Sequence, residues 1–198
     1  MAGAFLFDIG NVIISFDFGI AARKLSPQCE VSPEKALSLV SELTPVLERG
    51  EMTVEVFLEE AIARVGFTGS TDEFRGAMED IFTLNEPIVR FIEGVSEAGT
   101  PLFLLSNTNG IHVPFFENTY EVFSRFDGRI YSHEVGLMKP EPEIYALATS
   151  RFELNPSETV YIDDAPANCA AGREAGFITL QYEVSQHERF LSEVTPHL

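Results

Sequence analysis

Five polar residues of this chain lie at the ends of short apolar runs or in the segments that follow them. They are Asp8, Ser106, Lys139, Asp163 and Asp164. Each residue alone is weak evidence, because an aspartate after a strand more often caps a helix or lies in a loop. As a set they suit phosphoryl transfer, which requires an in-line nucleophile and neutralisation of the charge on the phosphoryl oxygens.

The chemistry gives each of these residue types a task. Asp8 can supply a carboxylate nucleophile and one ligand of a hard cation such as Mg²⁺, which prefers oxygen ligands and keeps several waters. Asp163 and Asp164 can supply the other carboxylates. Two adjacent carboxylates repel each other unless a cation or hydrogen-bond donors hold them. Ser106 can donate a hydrogen bond to a phosphate, and Lys139 can supply a positive charge.

The elements that must position these residues follow from an alternation of apolar runs and helical patterns. Continuous apolar runs, which are typical of strands covered on both faces, occur at 4–7, 101–105, 129–131, 159–162 and 177–180. Helical patterns separate the later runs at about 86–98, 141–150 and 164–175. This order predicts an α/β fold with a doubly wound, Rossmann-like parallel sheet. In such sheets ligands bind at the carboxyl ends of the strands, where the five polar residues would meet.

The stretch from about 16 to 85 lacks a good strand pattern and contains several helix starts instead. Ser32, Thr53 and Thr71 each open an apolar-periodic segment, and these residue types are preferred at helix N-caps. We therefore predict a small helical cap domain at 16–85. It is inserted after the first strand into a core domain made of 1–15 and 86–198.

The charge and composition limit the classes of partner. The formal net charge is −18, so the chain should repel nucleic acid. No stretch approaches the roughly 20 apolar residues of a membrane span, and the N-terminus lacks the basic and apolar regions of a signal peptide. The two cysteines belong to no zinc-binding spacing. We expect a cytoplasmic protein that acts on a small molecule without nucleic acid or membrane, while the sequence leaves its oligomeric state open.

Four segments resemble the four motifs of the haloacid dehalogenase superfamily. They read Phe-Asp-Ile-Gly-Asn-Val-Ile at 7–13, Leu-Ser-Asn-Thr-Asn at 105–109, Gly-Leu-Met-Lys-Pro-Glu-Pro at 136–142 and Tyr-Ile-Asp-Asp-Ala-Pro-Ala-Asn at 161–168. The resemblance runs from about 4 to 182, and the helical insert is similar to the small cap of that family. It implies a Mg²⁺-dependent phosphatase that acts on a small phosphorylated metabolite, a sugar phosphate, through an aspartyl-phosphate intermediate on Asp8. It also implies that Mg²⁺ is bound by Asp8, the carbonyl of Gly10, Asp163 and Asp164.

Within the superfamily, the chain is most similar to bacterial α-D-glucose-1-phosphate phosphatases. The shared features are the Asp-x-Gly-Asn-Val opening, Glu-Arg-Gly-Glu at 48–51, and Ser-Asn-Thr-Asn at 106–109 followed by His112. This resemblance makes Ser106, Asn107 and Lys139 substrate-binding candidates. Arg49 and His112 are candidates as well, although a helix-end charge and a helix-start polar residue explain them equally simply.

One position departs from the superfamily pattern. Most phosphatases of this group carry a second aspartate two residues after the nucleophile, where it protonates the leaving group and later activates water, and this chain has Gly10 there. General acid–base help is worth about 10²–10⁴-fold in rate. The sequence therefore predicts a slow enzyme, a substrate with a good leaving group or a substitute acid. Asp17 and His112 are the candidates for that substitute.

Two other functions remain open at this point. A haloacid dehalogenase would use the same nucleophile on a carbon centre without Mg²⁺, but the adjacent carboxylates Asp163 and Asp164 would then repel an anionic substrate. Alternatively, the missing acid at Gly10 could mark a weakly active protein that binds a phosphorylated ligand or has a regulatory role.

Overall fold

The computed structural model describes residues 2–198, so Met1 of the predicted core segment lies outside the described residues. Within that range there are seven strands and eleven α-helices. The strands are β1 (Ala4–Phe7), β2 (Ile14–Phe16), β3 (Phe82–Leu84), β4 (Leu102–Ser106), β5 (Gly128–Tyr131), β6 (Thr159–Asp163) and β7 (Ile178–Gln181). The helices are α1 (Phe18–Leu25), α2 (Pro33–Ser41), α3 (Thr44–Glu48), α4 (Val54–Val65), α5 (Thr71–Glu79), α6 (Glu86–Glu97), α7 (His112–Thr119), α8 (Ser132–Val135), α9 (Pro142–Arg151), α10 (Pro166–Glu174) and α11 (His187–Val194).

A parallel sheet of five strands forms the centre of the molecule, in the order β5-β4-β1-β6-β7. All five strands predicted from apolar runs are present, and the predicted α/β class is confirmed. In the central strand β1, Phe7 is in register with Leu104 of β4 and with Ile162 of β6. The residues that follow Phe7 and Ile162 therefore emerge side by side at the carboxyl edge of the sheet.

Both faces of the sheet are covered, which explains why its strands read as unbroken apolar runs. Phe5 and Phe7 point to one face and belong to a cluster that includes Ile88 of α6. Leu6 points to the other face and packs with Tyr145 of α9. Burial on both faces fixes the register of β1 within the sheet. The position of Asp8, which follows the strand, is fixed with it.

The prediction of no strand between 16 and 85 was wrong at both ends of that stretch. β2 and β3 form a separate antiparallel pair in which Ile14 is in register with Leu84 and Phe16 with Phe82. Each strand has only three residues, too few for a period to show, and its partner lies far away in sequence. The pair brings together the two ends of the helical insert, and the division into core and cap at 16 and 85 stays a prediction.

The insert has its own apolar cluster and consists of helices α1–α5. Two of the three predicted helix starts are N-caps: the side chains of Ser32 and Thr53 accept backbone N–H bonds of the first helical turns. The third helix is capped by Ser70, one residue before the predicted Thr71. Two further features differ from the sequence prediction. Helix α1 was not expected, and the segment that follows Ser32 forms two helices, α2 and α3, with Pro45 in the first turn of α3.

None of the helices in residues 2–198 is long and apolar enough to cross a bilayer.

Candidate active site

Asp8 and Asp163 converge on one lysine at the carboxyl edge of the sheet. Asp8 directly follows β1, Asp163 ends β6, and Lys139 comes from the loop between α8 and α9. The Lys139 Nζ lies 2.8 Å from Oδ1 of Asp8 and 2.6 Å from Oδ2 of Asp163. All three residues are buried. Asp8 and Asp163 are 155 positions apart in sequence, and the parallel sheet brings both into direct contact with Lys139.

Burial and charge shift the pKa values of this group in opposite directions. Burial raises the pKa of Asp8 to about 6, the charge of Lys139 opposes this rise, and the charge of Asp163 adds to it. Burial alone would lower the pKa of Lys139, but the negative charges of Asp8 and Asp163 outweigh it, so the pKa is raised. Lys139 therefore stays positively charged and stabilises the ionised form of the Asp8 carboxylate.

A third carboxylate joins this group and makes it suitable for a divalent cation. Oxygens of Asp8, Asp163 and Asp164 lie within 4.8 Å of one another. With one lysine for three carboxylates, negative charge remains in excess at a largely buried site, which is costly without a cation. Burial, followed by the charge of Asp163, raises the pKa of Asp164. The donor set consists of hard oxygens, so the residues present fit Mg²⁺.

The two adjacent aspartates have different surroundings. Asp163 is fully buried, and both of its oxygens accept hydrogen bonds from protein donors. These donors are the Lys139 ammonium, the Tyr161 hydroxyl, the Asn168 amide and the Ala165 backbone N–H. Asp164 is half-buried, and Oδ2 accepts one bond, of 3.0 Å, from the Asn11 amide. Asp163 is thus committed to holding Lys139, whereas Asp164 keeps lone pairs available for a cation.

Ser106 and Asn107 follow β4 at the same edge of the sheet. Ser106 is 2% exposed, and within the described chain its hydroxyl forms only one long hydrogen bond, to the Asn107 carbonyl, so the hydroxyl stays available. The Asn107 side chain is occupied: it accepts the Lys139 N–H and donates to the Lys139 carbonyl, both at 2.9 Å. This reciprocal pair holds the lysine backbone beside β4. The predicted substrate contact of Asn107 stays a prediction.

Arg49 lies at the junction between the helical insert and the core. Its guanidinium forms two bonds to the carboxylate of Glu141, at 3.1 and 2.5 Å. Glu141 also accepts the N–H of Met138, so the pair connects the insert to the loop that carries Lys139. Arg49 was predicted to contact substrate; the structure shows it engaged with the core, and substrate contact stays a prediction.

The two candidates for a substitute acid have other roles. Asp17 is exposed, caps α1 by accepting the Gly19 N–H, and pairs with Arg23. His112 is buried with its ring against Phe18 and Phe82. Burial lowers the pKa of His112 to about 4, so the ring is neutral at pH 7 and holds no ready proton. Its predicted substrate contact stays a prediction as well.

Two residues that support the site were missed in the sequence. Asn11 has a positive φ of 53°, which Asn tolerates better than most residues, and its amide holds Asp164. Tyr161 holds Asp163, and the two-residue spacing on one strand puts both on the same face. The strand period could have paired Tyr161 with Asp163, whereas the contact between Asn11 and Asp164 spans 153 positions and leaves no local signal.

Comparison with known proteins supports a single family. The sequence profile of haloacid dehalogenase-like hydrolases matches residues 2–176. A D-ribitol-5-phosphate phosphatase from Bacteroides thetaiotaomicron is 27% identical over 189 residues, which is 90% of each chain. The named relative is thus a phosphatase of a phosphorylated sugar alcohol, and it differs from the glucose-1-phosphate branch suggested by the motifs.

Solved structures show the same fold. A HAD family enzyme, bt-2542 from Bacteroides thetaiotaomicron, superposes with a TM-score of 0.83 at 24% identity, covering 96% of this chain and 97% of the other. A second structure of that enzyme, in complex with magnesium and inorganic phosphate, gives a TM-score of 0.79, also at 24% identity, with coverage of 92% and 95%. At this identity the likeness establishes the fold.

Proposed function

The chain belongs to the haloacid dehalogenase-like hydrolases, and from this premise we propose that it is a Mg²⁺-dependent phosphatase. It would hydrolyse a small phosphorylated metabolite through an aspartyl-phosphate on Asp8. The observation that carries the proposal is the group formed by Asp8, Lys139 and the two aspartates after β6. A carboxylate next to a lysine and to further carboxylates suits a reaction on a phosphate dianion once a cation balances the charge.

The residues divide the reaction between them. Asp8 supplies the oxygen that attacks phosphorus, and Lys139 keeps that carboxylate ionised and faces the phosphoryl oxygens. Ser106, with its available hydroxyl at the end of β4, donates to a phosphoryl oxygen. Asp8, Asp164 and the carbonyl of Gly10 would hold Mg²⁺, with Asp163 assisting through Lys139. The cation supplies neutralisation of the phosphoryl oxygens.

For the substrate we propose a sugar phosphate or a sugar-alcohol phosphate. Two sequence similarities support this class: the motifs at 48–51 and 106–109 resemble those of α-D-glucose-1-phosphate phosphatases, and a relative that matches along 90% of its length is a D-ribitol-5-phosphate phosphatase. We propose α-D-glucose 1-phosphate and D-ribitol 5-phosphate as the first two compounds to be assayed. The cap that covers the site determines which one fits.

The test is phosphate release from a panel of phosphorylated metabolites and from p-nitrophenyl phosphate, with Mg²⁺ and with excess EDTA. We expect Mg²⁺-dependent turnover by the native protein and at least about a 10³-fold loss in Asp8→Asn, since an amide attacks phosphorus poorly. Asp72→Asn, which removes an exposed carboxylate from α5, is the matched control and should keep full activity.

Three outcomes would contradict the proposal. Normal activity in Asp8→Asn would remove the nucleophile. Full activity in EDTA, together with chloride release from 2-chloropropionate, would indicate a dehalogenase. Tight binding of a sugar phosphate without turnover on any substrate would indicate a binding protein.

A further inference from the structure

We propose that Glu48, at the end of α3, is the general acid and base of this enzyme and takes the place of the carboxyl group absent at position 10. The inference rests on the proposed phosphatase function. It assigns to the cap a catalytic side chain for a step that the core alone does not provide.

The direction of attack requires a proton donor on the cap side. Asp8 follows β1 at the carboxyl edge of the sheet and attacks phosphorus in line, so the leaving oxygen departs on the side opposite Asp8. The insert contacts the loop of Lys139 through Arg49 and Glu141, so we place the insert on that side. Gly10 carries no side chain, and the space that a Cβ would occupy there is bounded by Cε1 of Phe16 at 3.1 Å. Neither Asp17 nor His112 presents an acid to this region.

Glu48 is fixed at the cap–core junction by its neighbours. Leu47 is buried in the apolar cluster of the insert. Arg49 is held by Glu141 of the core. Gly50 has a φ of +73°, and a Cβ there would collide with the carbonyl oxygen of His133, so only glycine allows this close approach. The segment that carries Glu48 is therefore anchored against α8 and the loop of Lys139.

The surroundings of Glu48 differ from those of the other carboxylates on the insert. It is half-buried, and burial followed by the charge of Asp8 raises its pKa to about 7. Exposed carboxylates of the same insert, Glu55 and Glu73, have lowered pKa values because backbone N–H groups bind them. Because the charge of Asp8 contributes to this rise, the two carboxyl groups interact electrostatically. A carboxyl group with a pKa near neutrality can both give and accept a proton.

The proposed step balances protons and electrons. In the first half, an oxygen of Asp8 bonds to phosphorus, the bond to the leaving oxygen breaks, and that oxygen takes the proton of Glu48 as it departs as an alcohol. In the second half, a water attacks phosphorus, Glu48 accepts the proton of this water, and the bond to Asp8 breaks. Inorganic phosphate leaves, and Asp8 and protonated Glu48 are restored.

The test compares Glu48→Gln with the native protein on two substrates: an alkyl phosphate such as the best sugar-alcohol phosphate, and p-nitrophenyl phosphate. For the alkyl phosphate kcat/KM should fall by about 10²–10⁴-fold, because its leaving oxygen needs a proton. For p-nitrophenyl phosphate kcat/KM should change little, because nitrophenolate leaves without one. The kcat of Glu48→Gln on p-nitrophenyl phosphate should nevertheless fall, with an initial burst of nitrophenol, because the aspartyl-phosphate then hydrolyses slowly. A merely structural role of Glu48 would lower both kcat/KM values together.

The matched control is Glu59→Gln, which removes an exposed carboxylate from α4 of the same insert and should leave all four constants unchanged. The pH profile of the alkyl substrate supplies a further measurement. The native kcat/KM should fall as pH rises through the pKa of Glu48, and Glu48→Gln should lose that fall.

Other groups near Glu48 do not produce this profile. The titratable groups on α3, α8 and the adjoining loops are Arg49, Glu51, His133, Glu134 and Glu141. Arg49 and Glu141 neutralise each other in an ion pair, and Glu51 and Glu134 are exposed. Burial lowers the pKa of His133, so its ring is uncharged at pH 7. Across the cleft, Asp8 is paired with Lys139.

The outcomes separate this inference from the proposed function. No turnover by the native protein would overturn the phosphatase assignment and Glu48 with it. An active native protein whose Glu48→Gln variant loses kcat/KM equally on both substrates, or on neither, would overturn Glu48 alone. If Glu48→Gln does not fold, Glu48→Asp replaces it: the shorter acid should lose activity mainly on the alkyl phosphate, and an equal loss on both substrates again overturns the inference.

Discussion

At the scale of single residues, Gly10 is the position at which this chain departs from the superfamily pattern. The backbone of Gly10 does not adopt the left-handed conformation, so a side chain there would be free of backbone strain. The obstacle is the ring of Phe16, which lies 3.1 Å from the position that a Cβ would take but is 41% exposed and able to turn outward. A side chain at position 10 is therefore sterically possible once this ring moves.

This leads to a prediction for Gly10→Asp in the Glu48→Gln background. The new carboxyl group stands where the superfamily usually carries its acid. On alkyl phosphates, the double variant should therefore have a kcat/KM at least about tenfold higher than that of Glu48→Gln. The free energy of unfolding should change by about 1 kcal/mol or less, since Phe16 can move. Gly10→Asn, equal in size but without a proton to give, is the control. Equal recovery in both variants would show that the restored rate is not proton transfer.

At the scale of elements, the short helix α3 and the loop before α9 act as a unit. The pair of Arg49 and Glu141 connects them, and each side chain is about one-third exposed, at 34% and 35%. Exposed ion pairs contribute about 0–1 kcal/mol to stability, so this pair is a weak source of folding energy. Its effect is positional, because it joins the segment of Glu48 to the loop of Lys139.

We predict that Arg49→Ala and Glu141→Gln each lower kcat/KM by about tenfold, because either variant releases the segment of Glu48. The double variant should be no worse than the single ones, and Arg64→Ala, which removes an arginine paired with Glu42 and Glu60 within the insert, should be neutral. A different pattern would indicate substrate contact: Arg49→Ala would then raise KM while Glu141→Gln would not.

At the scale of the whole molecule, the net charge of −18 and the group of three carboxylates favour binding of a cation by the native state. The three carboxylates at the carboxyl edge of the sheet are buried or half-buried, and burial raises the pKa of Asp8 and of Asp164. A raised pKa means that the ionised carboxylate is less favourable in the folded than in the unfolded chain. These two groups therefore destabilise the metal-free protein at neutral pH, and this destabilisation disappears as pH falls below their pKa values.

We predict that Mg²⁺ raises the melting temperature of the native protein. At a concentration about 100-fold above Kd, the stabilisation is about 2.7 kcal/mol, which corresponds to about 5 °C or more for a chain of this size. Asp164→Asn should lose most of this increase and should melt higher than the native protein in EDTA, since one repulsive charge is gone. Sodium chloride at matched ionic strength separates binding from screening of the overall charge. An equal effect of both salts would contradict a specific site.

The sequence by itself determined the sheet and the residues at its edge. The strands β1, β4 and β6 are continuous apolar runs because both faces of the sheet are covered, and the polar residues after them mark where each strand ends. The order of strands and helices then placed Asp8, Ser106 and Asp163 at one edge. Spacing along the chain was sufficient here because each signal is local to one element.

Which partner each of these residues contacts was decided only by the tertiary structure. It pairs Asp163 with Lys139, Asn107 with the backbone of Lys139, and Arg49 with Glu141. No signal in the sequence indicated the pairing of β2 with β3 either. All of these are contacts between segments far apart in sequence, and neither hydrophobic period nor residue type encodes which distant partner a polar side chain will meet. That choice depends on how the insert packs on the core.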